Sequence, residues 1–154
     1  MAVSYTVEIK TNVSDPLRSL IFSEFSPIDC VMENGFQGSR MTTGEYIRYW
    51  FLDSTEVSRF ADGETRDYNI EIVYYFDVRY YRSKQAFDEV YSDRLERLKR
   101  LLDNNSCYND GTQRWHKITI ETNPIQTVEE LEGIEGEETI AQRLLVTITR
   151  NNFR

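Results

Sequence analysis

Residues 67–87 read DYNIEIVYYFDVRYYRSKQAF and hold five of the chain's ten tyrosines. Successive side chains on a strand point to opposite faces. One register of this stretch is Tyr68, Ile70, Ile72, Tyr74, Phe76, Val78 and Tyr80, and it carries no charge. The other is Asn69, Glu71, Val73, Tyr75, Asp77, Arg79 and Tyr81, in which apolar and charged residues are interleaved. A strand over 67–82 with this pattern requires an apolar layer on its first face. Two surroundings suit the second. One is solvent, with Tyr serving as a good strand former. The other is a neighbouring subunit, with aromatics giving contact area and charges giving register. Aromatics make up 13% of the chain, which favours the neighbour.

The strand gives way to helical spacing. Phe87, Val90 and Tyr91, Leu95, Leu98, and Leu101 with Leu102 recur along one face of a helix expected over 84–103. Ser83 is placed to cap it. Asp93–Arg97 and Glu96–Arg100 have the spacing and order of stabilising surface pairs. The run DNNS at 103–106 supplies residues that tolerate a left-handed helix end. This helix can cover the uncharged face of the strand before it.

Upstream, VSYTVEIK at 3–10 alternates and predicts an N-terminal strand. Asp15 and Pro16 have the chemistry of a helix cap and first helical residue. Leu17, Leu20, Ile21 and Phe25 then share a face, and Pro27 closes the helix. Residues 28–66 form a loop-rich hairpin region with short strands near 28–33 and 45–53. Asp62-Gly63 supplies its turn, with glycine free to take positive φ. Downstream, 113–123 predicts a strand with His116, Ile118 and Ile120 on one face. Residues 124–138 form an acidic loop with six glutamates between 129 and 138. Ile140, Leu144, Val146 and Ile148 mark a last strand. The 154 residues suit a single α+β domain, a mixed or antiparallel sheet with two helices packed on one face.

The net charge of −8 opposes an electrostatic grip on nucleic acid. The N-terminus lacks the pattern of a secretory signal, and no apolar run is long enough to span a membrane. Cys30 and Cys107 lack zinc-site spacing and suit two free thiols. His116, the only histidine, lies beside Trp115 with no nucleophile motif and suits packing better than catalysis. Glu8-Ile9-Lys10 resembles the end of a nuclease metal motif but lacks the upstream acid. The 129–138 glutamates lack a calcium-loop pattern. Glu71 and Asp77, on one strand face, are the best carboxylate pair for an enzyme, and no cleft is evident for them. The expectation is a protein that is not an enzyme, with no cofactor and no metal. A small ligand- or peptide-binding module remains an alternative.

The element order is a short helix, a loop-rich hairpin region, a long strand (YNIEIVYYFDVRYY) and a long helix (KQAFDEVYSDRLERLKRLLDN). Two strands flanking an acidic stretch follow (RWHKITIETN, EELEGIEGEE, RLLVTITR). This order resembles the tail terminator, or tail-completion, proteins of long-tailed bacteriophages of the lambda type. The resemblance runs from Pro16 to Arg150, and the strand at 3–10 is an addition to it. It implies a virion structural protein of the tail or neck, assembled in the host cytoplasm as a homo-oligomeric, hexameric ring. Such a ring caps the tail tube and joins it to the head. Its partners would be the tail tube protein, neck or connector proteins, and a sheath if the tail contracts. DNA would only pass through the lumen, and no membrane is involved. A head–tail connector is the neighbouring reading. Within that frame the candidate interface residues are Arg40, Arg48, Tyr75, Arg79, Tyr81, Glu129, Glu130 and Glu132.

Overall fold

The fold was analysed as a computed structural model, which describes residues 8–25, 29–32, 45–123, 126–127 and 139–153. It is α+β, as the periodicities require. Three long strands make its frame: β2 (Glu45–Phe60), β3 (Gly63–Asp77) and β8 (Thr139–Phe153). Short strands β1 (Asp29–Met32), β6 (Lys117–Thr122) and β7 (Gln126–Thr127) complete the sheet. Its order is β1-β2-β3-β8-β6, with β7 also on β8. β1 runs parallel to β2 and every other pairing is antiparallel, so the sheet is mixed. A separate two-stranded ribbon joins β4 (Tyr108–Asn109) to β5 (Gln113–Trp115).

One face of the frame holds the main core. Tyr68, Ile70, Ile72, Tyr74 and Phe76 of β3 are buried there, as the uncharged register predicts. They meet Leu17, Ile21 and Phe25 of α1 (Asp15–Phe25) and Leu98 and Leu102 of α2 (Lys84–Asn104). Leu20, Phe87, Tyr91, Leu95 and Leu101 pack against this core from its margin. Both helices therefore lie on the same face of the sheet. Ser83 caps α2 as expected, its hydroxyl accepting from the Ala86 N–H at 3.2 Å.

Several local expectations are corrected. Residues 8–10 are helical and not the end of a strand, while 1–7 lie outside the described residues. A π-helical segment (Ile9–Ser14) runs straight into α1, so Asp15 is helical and is not the cap. Its N–H reaches back five residues to the Lys10 carbonyl. Pro16 explains the wider turn: proline has no N–H to donate, and its ring crowds the carbonyl four residues back. The left-handed helix end expected at 103–106 is absent. Asn105 has φ of −111° and secures the terminus with its side chain, which donates to the Leu101 carbonyl at 2.8 Å. Arg97 bonds Glu24 of α1 at 2.9 Å and Asp93 pairs with Arg94, so the expected Asp93–Arg97 pair is replaced by a link between helices. Glu96–Arg100 forms as predicted.

The hairpin turn also differs from its sequence signal. Phe60 pairs with Gly63, so the two-residue loop is Ala61-Asp62. Among the described residues the only positive φ belongs to Gly111. Gly63 is needed for closeness: a Cβ there would lie 2.0 Å from the Asn152 carbonyl oxygen on β8.

Candidate assembly surface

β3 is central in the sheet, and its second register is not a plain solvent face. Val73 and Tyr75 are buried with Ala141, and Trp50 packs against them. The Arg48 guanidinium lies over the Tyr75 ring, 5.5 Å from its centre, and is itself buried. Two candidate interface residues, Arg48 and Tyr75, are thus brought together. They meet in a second, interior cluster, Tyr75 being 1% exposed, and not on an open surface.

Arg79 and Tyr81 do not continue the strand face on which the alternation placed them. β3 ends at Asp77, and Val78–Tyr80 form a 3₁₀ turn. The Asp77 carboxylate accepts from the Arg79 N–H at 3.0 Å and from the Arg79 guanidinium at 2.6 Å. Those bonds satisfy the turn locally and end the ladder. The Arg79 hydrogen bonds hold the Asp77 carboxyl below the usual carboxylate range, against the opposing effect of burial. Tyr81 turns back toward the core and packs edge-on against Phe87, ring centres 5.4 Å apart. Burial, with the nearby Glu45 charge, pushes its hydroxyl pKa up to about 12. Arg40, Glu129, Glu130 and Glu132, as well as most of the acidic loop 124–138, lie outside the described residues.

The two carboxylates weighed as an enzyme pair, Glu71 and Asp77, are each engaged by an arginine. Arg143 bonds Glu71 across the strands, and Arg79 holds Asp77. Six residues apart on one strand, they are separated by about 20 Å. His116 sits exposed at the bend between β5 and β6, not on an apolar face. Its backbone N–H, donating to the Thr149 carbonyl, is what ties it down. Trp115 takes the buried place instead, its indole N–H donating to the Asn105 carbonyl at 2.8 Å. No group of acids, histidines and cysteines among the described residues is arranged to hold a metal ion. Among them, too, no helix is long and apolar enough to cross a membrane. Cys107 is exposed and free.

The surface that sequence reasoning missed is the far half of the long strands. Beyond Phe51 the second face of the sheet becomes polar and is held by cross-strand rungs. Asn69 donates to Asp53 at 2.5 Å and accepts from Thr147 at 2.9 Å. Thr149 donates to Asp67, and Thr65 to Asn151, both at 2.6 Å. At the base of this extension, on the core side, Arg150 takes the carbonyls of Gln113 and Arg114 and pairs with Glu8 at 3.1 Å. Asn152 links Arg150 to the Tyr68 hydroxyl. The frame then runs out to a tip where the Phe60 and Phe153 rings meet over Gly63, centres 5.7 Å apart. Val57, Phe60 and Phe153 are exposed there by 57, 37 and 71%.

The extension was hidden because β2 is bulged twice, between Phe51 and Asp53 and between Glu56 and Ser58. Each bulge inserts a residue and inverts the alternation. The extra residues, Leu52 and Val57, are both exposed. The available signal was the partner strand: β3 and β8 alternate without a break through the same region.

No family model matches the chain, and no curated protein matches it. Among solved structures it is similar to a protein described as the PVC sheath/tube terminator, in the extended state, of an extracellular contractile injection system. The two are 11% identical with a TM-score of 0.48, and the match covers 100% of this chain. This chain spans 60% of that neighbour's length.

Proposed function

We propose that the chain is a virion structural protein, a tail terminator whose copies form a ring that caps the tail tube and joins it to the head or neck. The observation that carries the proposal is the frame itself. Its three longest strands continue past the helix-covered core to a tip that exposes Val57, Phe60 and Phe153. An apolar tip on a ribbon braced by hydrogen bonds is a contact element, and it adds little to the monomer's own core. The resemblance in element order supports the same reading. Its implied partners are the tail tube protein, neck or connector proteins, and a sheath in a contractile tail. DNA would be a passenger in the lumen, and the place of action the virion. No catalytic role is proposed.

The test is light-scattering mass with negative-stain imaging of purified protein over a range of concentrations. Closed rings are expected, since head-to-tail contacts that close give rings, and about six copies is the number the resemblance in element order implies. Strict monomers at every concentration would overturn self-assembly. Attention would then shift to a binding module, and to the cleft lined by Gln113, Arg114, Trp115, His116, Arg150 and Phe153.

A further inference from the structure

β8 outruns its outer neighbours. On the side away from β3 it pairs with β7 at Ile140 and Ala141 and with β6 from Leu144 to Thr149. β3 stays beside it as far as Phe153, while among the described residues no strand pairs with the outer edge of 150–153. That edge has hydrogen-bonding groups to offer. The Thr149 carbonyl faces outward and accepts from the His116 N–H at 3.1 Å. Backbone groups alternate sides along an antiparallel strand, so Asn151 and Phe153 also turn their N–H and C=O outward, and Asn152 turns its own to β3. Beside the edge runs a largely apolar cleft of about 330 Å³, with Gln113–His116 on one wall and Arg150, Asn151 and Phe153 on the other. The described residues begin at its rim. Glu8 pairs with the buried Arg150 at 3.1 Å. Arg114, from the opposite wall, donates to the Thr11 carbonyl at 3.1 Å and to Asn12 Oδ1 at 2.7 Å. Residue 8 is thus fixed to both walls of the cleft.

We infer that residues 3–7 of the same chain lie in this cleft as one more antiparallel strand on β8. Reach permits it: five residues in strand form span about 17 Å, and Arg150 to Phe153 spans about 10 Å. Direction permits it too. Read back from Glu8 the segment heads from the base of the extension to its tip, so it runs opposite to β8. The sequence VSYTV has the matching chemistry. With Thr6 opposite Asn151 and Ser4 opposite Phe153, both hydroxyls fall on the face where Thr65 already donates to Asn151. Val3, Tyr5 and Val7 then fall on the other face, with Arg150, toward Trp115 and the apolar cleft. The anchoring of Glu8 selects the chain's own segment as the occupant, because a segment tethered at the cleft's rim outcompetes the same segment of another copy. The added strand closes an open sheet edge and braces the projecting half of the frame. It does so whether or not copies assemble.

The experiment is amide hydrogen exchange read residue by residue by NMR on the full chain. In the wild type the Asn151 and Phe153 amides are expected to be protected, as the Asn152 amide is by β3. In a chain carrying Val3→Asp and Tyr5→Asp, exchange at Asn151 and Phe153 is expected to speed at least tenfold, while Asn152 keeps its protection and shows that the frame is still folded. Cross-linking then identifies whose segment is bound. Thr6→Cys and Asn151→Cys are introduced with Cys30→Ser and Cys107→Ser, isotope-labelled and unlabelled chains are mixed, and a short bismaleimide joins the pair. Linked peptides of a single isotope are expected. Free exchange at Asn151 and Phe153 in the wild type overturns the inference, and so does protection that survives the double aspartate change. Linked peptides of mixed isotope also overturn it, since they assign the cleft to the segment of a second copy.

Discussion

At the scale of single residues, the two registers of β3 show how one side chain's surroundings change the meaning of a pattern. Tyr75 belongs to a run that suits a contact surface, yet it lies between Val73 and Ala141 under the Arg48 guanidinium. Tyr75→Asp would place a carboxylate in that cluster. A loss of about 3 kcal/mol or more is expected, because an added buried charge is among the costliest changes. Chemical denaturation would show it as a lower midpoint or an unfolded chain. A variant that folds with wild-type stability would show that the cluster is open to water. Asp77 gives a prediction in pH. Its folded pKa is depressed, chiefly by the hydrogen bonds from Arg79. Its contribution is therefore complete above the ordinary aspartate value of about 3.9 and is lost as pH falls through the lower folded value. Arg79→Ala should flatten the stability profile in that acid window and leave its shape near neutrality unchanged. Unfolding midpoints between pH 2 and 6 would decide it.

At the scale of elements, the β2–β3 hairpin is set by a close approach and not by a special backbone angle. Gly63 pairs with Phe60 on one side and Phe153 on the other, and a Cβ on it would meet the Asn152 carbonyl of the neighbouring β8. Gly63→Ala must push β8 away at Asn152 or tilt the hairpin. Such overpacking costs about 1–3 kcal/mol. Thermal unfolding with hydrogen exchange at residues 60–66 and 150–153 would register it, and an unchanged melting point would refute the close approach. The reading of this hairpin from sequence located the turn and mistook its mechanism. Asp-Gly is the usual mark of a positive-φ turn, while the need for a missing Cβ comes from β8, some ninety residues away. The same holds for α1. Asp15-Pro16 looks like a helix start, but a helical turn already underway absorbs the proline by widening.

For the whole molecule, the division of labour is between a covered half and a projecting half. The covered half holds both helices and the main core, and the projecting half holds the polar rungs and the apolar tip. Changes at the tip should therefore separate assembly from folding. Val57→Ser with Phe153→Ser is expected to leave monomer stability within roughly 1 kcal/mol, the range of two exposed substitutions. It should weaken self-association at least tenfold. Concentration-dependent light scattering beside thermal unfolding would show both effects. A large loss of stability would mean that the tip belongs to the core after all.

The α+β class, the two helices, the apolar register of β3 and the register of β8 were all legible in the chain. They depend on periodicity, which a strand or helix imposes on its own residues wherever it lies. The Ser83 cap was legible too, because capping is local. Tertiary structure decided what lies across from each element. It closed Val73 and Tyr75 into a second cluster, gave Arg97 to Glu24, and ended β3 at the Asp77–Arg79 bond. It carried β2 through two bulges to an exposed tip, where a one-residue insertion erases the period that sequence reading relies on. Such outcomes turn on contacts between residues far apart in the chain, and no local pattern encodes which of several suitable partners arrives.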